Sequence, residues 1–190
     1  ALADGCIAEY NSNIFIRENY KELMTRIGIL SDTHGYLDEQ VFEYFKDVDM
    51  IWHAGDIGTL EVTDKLKAFK PLYAVYGNID GQELRAEFPE DQLILVDNCK
   101  ILITHIAGAV GKYNTHVNGI IKNEQPDILV CGHSHIVKVM KDPKYGFLHI
   151  NSGAAGIHGF HKMRTIIRFE IQNGKPQKME LIELGLRGKI

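Results

Sequence analysis

Five apolar, largely β-branched runs in this chain each lead into a short polar cluster of Gly, Asp, Asn and His. This pairing limits the fold more than any other feature. Ile27-Gly-Ile-Leu30 leads into Asp32-Thr-His34, Met50-Ile-Trp52 into Gly55-Asp56, and Leu72-Tyr-Ala-Val-Tyr76 into Gly77-Asn78. Lys100-Ile-Leu-Ile-Thr104 leads into His105, and Asp127-Ile-Leu-Val-Cys131 into Gly132-His133-Ser134-His135. Short apolar runs bounded by turn residues read as buried strands. In α/β folds the carboxyl ends of neighbouring strands open on one crevice, where ligands bind. The pattern therefore predicts that residues far apart in sequence meet at one site.

Between these runs the chain alternates. A strand at 26–31 precedes a helix at 37–47, with Leu37, Val41, Phe42 and Phe45 on one face. A strand at 50–54 precedes a helix at 60–69, and a strand at 72–76 leads to a turn region ending at Pro89. Strands at 92–97 and 100–104 flank Asp97-Asn98, a hairpin signal. A helix at 113–124 stops before Pro126. The rest reads as strands at 127–131, 136–141, 146–151, 163–172 and 176–184, with turns at Asp142-Pro143-Lys-Tyr-Gly146 and Asn173-Gly174. A βα first half and a β-rich second half predict an α/β fold of two sheets packed face to face with helices outside.

At 190 residues and 45% hydrophobic, the chain is long enough for one domain with a sizeable core. Its net charge is -4 and its pI about 6.1, and it has no Lys/Arg block, which argues against a general nucleic-acid surface. Cys6, Cys99 and Cys131 are unpatterned and read as reduced thiols. No apolar run is long enough to span a membrane, and residues 1–23 lack the pattern of a signal peptide, so the expected compartment is the cytoplasm. The domain is expected over 24–190. Residues 1–23 read either as a translated leader ahead of Met24 or as a docking arm.

Each cluster taken alone is weak. Asp32 and His34 can grip one cation from the same side of a turning segment. Gly55 allows a sharp turn, and the two oxygens of Asp56 can bridge two cations. Asn78 offers a neutral oxygen. His105 by itself reads as a strand-end histidine. His133 and His135, flanking one residue after a buried strand, are the strongest pair.

Taken together, Ser31-Asp-Thr-His-Gly35, His53-Ala-Gly-Asp56, Gly77-Asn-Ile-Asp80, Gly132-His-Ser-His135 and Asn151-Ser-Gly153 resemble the signature blocks of the metallophosphoesterase superfamily, the calcineurin-like phosphoesterases. The resemblance runs from residue 26 to about 155 and extends to the small single-domain bacterial and archaeal phosphodiesterases of that group. It implies a four-layer αββα sandwich of two mixed sheets, and two divalent metal ions. By motif, one ion would be held by Asp32, His34, Asp56 and His135, the other by Asp56, Asn78, His105 and His133. Asp56, Asn78 and His105 would carry the catalysis. Such ions sit about 3.5–4 Å apart and clamp an in-line displacement at phosphorus by a bridging hydroxide. The mixed ligands suit manganese, iron, zinc, nickel or cobalt without choosing among them, and manganese is the first expectation. The implied partner is a small phosphoester. Neither nucleic acid nor membrane is expected, and a homo-oligomer is left open.

Two positions depart from the pattern. The phosphatases of the superfamily carry Gly-Asn-His in the third block, where the His assists the leaving group. Ile79 stands there in this chain, as commonly in the phosphodiesterase branch. Thr104-His105-Ile-Ala-Gly108 also places its Gly further from the His than usual. Asp80 and His53 are expected to support the ligand loops from behind. His158 and His161 are the candidates for a replacement acid or a substrate contact, whereas His116 reads as a helix-surface residue and His149 as structural. The expected function is a phosphodiesterase. A phosphomonoesterase and a non-catalytic scaffold resembling the retromer subunit of this fold are the alternatives.

Overall fold

The central strands are apolar on both faces, so each must be covered on both sides. In β1 (Met24–Leu30), Ile27 and Ile29 enter one core and Leu30 another. In β5 (Cys99–Thr104) and β8 (Ile128–Cys131), Ile101, Ile103, Ile128 and Val130 share the first core, while Leu102 and Leu129 face a third. The period of two thus builds three cores between four layers.

The computed structural model describes residues 24–188. The expected extension at 1–23 lies outside the described residues, as do 189–190. One five-stranded sheet adds β2 (Met50–His53), β3 (Leu72–Ala74), β11 (Met163–Gln172) and β12 (Lys175–Leu186), in the order β12-β11-β1-β2-β3. The other adds β4 (Asp91–Val96), β9 (Lys138–Lys141) and β10 (Leu148–Asn151), in the order β4-β5-β8-β10-β9. β1, β2 and β3 are parallel, as are β5, β8 and β10, and antiparallel strands complete each sheet. Both sheets are therefore mixed. Helices α1 (Gln40–Tyr44), α2 (Leu60–Phe69) and α3 (Gln82–Glu87) cover the first sheet through Val41, Val62, Leu66 and Leu84. Helix α4 (Thr115–Glu124) covers the second through Val117 and Ile121. The fold is the expected αββα sandwich.

Local differences have local causes. α1 is shorter than the expected 37–47. Phe45 leaves the helix at φ -99° and ψ 8°, and its buried ring packs on Gly28, where a Cβ would lie 2.8 Å away. The region read as a turn before Pro89 contains α3. A small hairpin, β6 (Gly108–Ala109) and β7 (Lys112–Tyr113), stands ahead of the fourth helix and takes Tyr113, the first residue of the expected 113–124. α4 then starts where Asn114 accepts a hydrogen bond from the Val117 N–H at 2.8 Å, an N-cap that satisfies a free helix donor. Among the described residues, no helix is long and apolar enough to cross a membrane.

Candidate metal centre

The carboxyl ends of β1, β2 and β3 in one sheet and of β5 and β8 in the other converge at one end of the sandwich. Backbone bonds knit the loops that follow them. Asp32 N–H donates to Gly55 O and His34 N–H to Asp56 O, both at 3.0 Å, and Gly132 N–H donates to His105 O at 3.1 Å. The His133 N–H crosses between the sheets to the Asp32 carboxylate, 3.1 Å from Oδ2.

Two groups of side chains that could hold a metal ion result. In each, the donor atoms lie within 4.8 Å of one another: Asp32, His34 and His135 in one, Asp56, His105 and His133 in the other. His135 Nε2 is 3.1 Å from Asp32 Oδ1 and 3.5 Å from His34 Nε2. His105 Nε2 is 3.2 Å from Asn78 Oδ1, which brings the expected neutral ligand to the second group. Asp56 lies between the two groups. Its Oδ1 is 3.2 Å from His105 Nε2 and its Oδ2 is 3.8 Å from His34 Nε2. All seven residues that the sequence motifs single out as ligands are thus brought together. Asp32, Asp56 and His105 form a buried floor, His34 and His135 are half-buried, and Asn78 and His133 are exposed at an open rim.

The backbone is strained here. Asp32, His34, Asp56, His133 and His135 have φ of 55°, 48°, 52°, 68° and 57°. Left-handed backbone costs a non-glycine residue about 1–2 kcal/mol. The other non-glycine residues of this kind occupy hairpin turns (Asp97, Asn98, Asn173), a helix C-cap (Gln125) and a strand bulge (Lys178). Such strain persists where the surroundings over-determine it, and it clusters at functional sites. Gly77 shows how tight the loops are, since a Cβ there would lie 2.1 Å from Asp56 Oδ1.

A layer of hydrogen bonds behind the site holds this geometry. Asp80 Oδ1 accepts the Gly58 N–H at 2.7 Å, and its Oδ2 accepts those of Gly77 at 2.7 Å and Ile57 at 3.1 Å. One carboxylate therefore ties the Asp56 loop to the Asn78 loop. Arg85 donates to Asp80 O at 2.7 Å and to Gly77 O at 3.1 Å, and its guanidinium lies over the Tyr76 ring. Asn151 donates to Gly132 O at 2.8 Å and to Ser134 Oγ at 3.1 Å, pinning the Gly-His-Ser-His turn. Neither Arg85 nor Asn151 stood out in the sequence as a support. An Arg in a short helix has no pattern, and Asn151 showed only as part of a motif block.

Histidine tautomers follow from these bonds. His105 Nδ1 faces Ala54 O at 2.7 Å and must donate to it, so in the neutral ring Nε2 is a lone pair turned to Asp56 and Asn78. His161 Nε2 donates to Gly156 O at 3.0 Å, and its Nδ1 meets His135 Nδ1 at 3.2 Å. Burial lowers the His161 pKa and favours its neutral ring, so His135 Nδ1–H donates to it, and in a neutral His135 the Nε2 toward Asp32 is then the lone pair. A partner on the far nitrogen fixes a ring in this way at metal sites. Both nitrogens of His161 are occupied, which removes it as a free rim acid. His158 is exposed, with its ring 6.1 Å from that of His34.

His53 is buried behind the floor. Its Nδ1 accepts the Gly55 N–H at 3.2 Å, so Nε2 carries the proton and bonds Thr33 Oγ1 at 2.9 Å, and Thr33 in turn donates to Ile57 O at 2.9 Å. Burial lowers its pKa from 6.5 to about 4. Between those values the unfolded chain binds more protons than the fold, so stability rises with pH there. The contribution is complete above pH 6.5 and is lost as pH falls toward 4. In denaturant titrations, His53→Gln should show a shallower pH dependence in that window than wild type. An unchanged slope would refute the assignment.

Ile79 contributes its backbone N–H, which donates to Asp56 Oδ1 at 3.0 Å, while its side chain is 46% exposed. The longer spacing after His105 accommodates the β6–β7 hairpin, closed by Asn114 N–H on Ala107 O at 3.0 Å. His149 on β10 links Cys131 Sγ on β8, at 3.6 Å, to Tyr113 Oη on the small hairpin, at 3.3 Å.

The donor set fits cations. With the far nitrogens of His105 and His135 spent, their neutral rings turn lone pairs toward carboxylate and amide oxygens, an arrangement that calls for positive charge. Burial disfavours a charged His105, yet its bond to Asp56 and the nearby carboxylates raise its pKa. Burial lowers the His34 pKa, which favours a neutral ring with one nitrogen free to act as a donor to a cation.

Comparison with known proteins agrees. A probable metallophosphoesterase of Methanocaldococcus jannaschii is 28% identical over 163 residues, 83% of this chain and 81% of that protein. A structure described as a novel archaeal phosphodiesterase superposes with TM-score 0.66 at 26% identity, covering 84% of this chain and 99% of that one. The Vps29 of Entamoeba histolytica, solved with zinc, shares the fold at TM-score 0.60 and 16% identity, over 83% of this chain and 98% of its own. The family model of the calcineurin-like phosphoesterase superfamily domain matches residues 25–174, which span every strand end that meets at the two side-chain groups, and the chain belongs to that superfamily.

Proposed function

We propose that this protein is a phosphodiesterase that works with two divalent metal ions, manganese first among the first-row metals that its mixed oxygen and nitrogen donors suit. The observation that carries this reading is Asp56, whose two oxygens reach toward His105 on one side and His34 on the other. Two cations held there would activate water for attack and stabilise charge on the phosphoryl oxygens. Asp32, His34 and His135 would hold one ion, and Asn78, His105 and His133 the other, with Asp56 shared. Asp56 offsets charge from both sides, and the Ile79 N–H keeps its Oδ1 aimed. The likeness to the archaeal phosphodiesterase supports a diester substrate. The open rim suits a small phosphoester, and buried free Cys99 and Cys131 suit a reducing compartment such as the cytoplasm.

A scaffold role remains the second reading, because Vps29 proteins share the fold and one was solved with zinc. Metal binding therefore does not separate the two readings, and hydrolysis does. The decisive assay loads the purified protein with manganese and tests phosphodiesters, phosphomonoesters and cyclic nucleotides. Ile79 cannot donate a proton, so aryl diesters should be hydrolysed faster than alkyl monoesters. No hydrolysis of any activated diester would favour the scaffold. A preference for alkyl monoesters would overturn the diesterase assignment.

A further inference from the structure

We infer that His116, held by Asp91 at the edge of a pocket beside Asn78 and His105, protonates the leaving-group oxygen. The inference rests on the phosphodiesterase reading and supplies the acid that Ile79 lacks.

The pocket is a cavity of about 510 Å³ against the second ligand group, and Asn78, His105, Tyr76, Arg85, Glu90 and His116 are among the residues that line it. His116 therefore shares one space with two of the proposed ligands, although it lies on α4 and they follow β3 and β5. The reason is the register of the second sheet. Asp91 pairs with Thr104, the residue before His105, so the Asp91 side chain is carried to the same strand end as the site. The first turn of α4 then sets His116 Nε2 against Asp91 Oδ2. The Asp91 side chain is only 15% exposed, and its other oxygen is buried without a hydrogen-bond partner among the described residues. A largely buried carboxylate whose side chain bonds only to an imidazole favours the protonated ring. The His116 side chain is 57% exposed, so it exchanges protons with solvent.

Other groups bear on the same ring. Glu90, beside Asp91, adds negative charge. Arg85 on α3 lies across the pocket but is committed to backbone carbonyls and the Tyr76 ring. His105 is at the floor. The positive end of α4 opposes protonation, yet the hydrogen bond and charge of Asp91 outweigh it and hold the His116 pKa above the ordinary histidine value. With Nε2 engaged, the transferable proton is on Nδ1.

The step balances. Water oxygen forms the new bond to phosphorus, and the bond to the leaving oxygen breaks with its electron pair. The Nδ1 proton passes to that oxygen, giving an alcohol and a monoester. The proton lost by the attacking water reaches solvent, from which His116 is recharged. The other candidates fare worse. His161 has both nitrogens bonded, and His158 stands over His34, away from this pocket.

The test is a series of diesters with leaving groups from 4-nitrophenoxide to simple alkoxides, assayed with the manganese-loaded full chain. Loss of a general acid costs about 10²–10⁴-fold where the acid is needed. His116→Gln should show a loss of that order for alkoxides and a far smaller one for 4-nitrophenoxide, giving a steeper dependence on leaving-group pKa. It should also lose the basic limb of the kcat/KM pH profile, and Asp91→Asn should move that limb to lower pH. Equal losses across the series, or an unchanged basic limb, would overturn the inference. Steepening in His158→Gln instead would assign the acid to His158. Failure of the wild type on every diester would strike the phosphodiesterase reading itself, a distinct result.

Discussion

Asp56→Asn is expected to abolish turnover. Asn keeps the side-chain shape, tolerates the left-handed backbone found at position 56, and can still accept the Ile79 N–H. What it removes is the negative charge and one of the two oxygens that face opposite ligand groups. Each preorganised electrostatic contact of this kind is worth about 2.7–4 kcal/mol in the transition state, or about 10²–10³-fold. Asp56 would serve both cations, so the fall in kcat should exceed about 10³-fold. Manganese content, measured by elemental analysis after dialysis, should fall too, while the circular dichroism spectrum stays that of the wild type. A variant that keeps two manganese ions and near-normal diester hydrolysis would sink the shared-ligand assignment.

The second large effect falls on a residue that touches no proposed ligand ion. Asp80→Asn keeps the shape and replaces one acceptor oxygen by a donor. Three N–H groups, the buried ones of Ile57 and Gly77 and the half-buried one of Gly58, point at the carboxylate. Either orientation of the amide sets its NH₂ against at least one of them. An orphaned buried donor costs about 1–3 kcal/mol, and hydrogen bonds to a charged acceptor are themselves worth about 1.5–3 kcal/mol. A loss of about 2–4 kcal/mol in denaturant stability is the expected result. Because the same bonds set the Asp56 and Asn78 loops, metal affinity should weaken by about 10–100-fold. Stability within experimental error of the wild type would mean that the loops hold their shape without Asp80.

These expectations show which parts of the molecule its sequence carries openly. Strand ends were legible because a buried strand needs an unbroken apolar run, and the Gly, Asp, Asn and His that interrupt each run mark where it stops. Ile27, Ile101 and Ile128 could be placed in a core for the same reason. The seven proposed ligands were legible only as a set, by resemblance, since each cluster alone is an ordinary turn. α3 and the β6–β7 hairpin were not legible. Both are too short to show a period, and α3 exists because Leu84 finds the core while Arg85 finds the carbonyls of the Asn78 loop.

The alternation of apolar runs and polar turns determined by itself that this chain would form two sheets with helices outside and would gather its carboxylates and imidazoles at strand ends. Only the tertiary structure decided what stands behind and beside those groups. Hydrogen bonding between His135 and His161, the donors from Ile57 and Gly58 on Asp80, and the approach of His116 to Asp91 all join residues that no local periodicity relates. The register of β4 on β5 and the placement of α4 set the last of these. Apolar patterning acts through burial, which is non-directional and depends on residue type, so it can be read along a line. Hydrogen bonds depend on distance and angle between particular atoms, and those are defined only once the layers have packed.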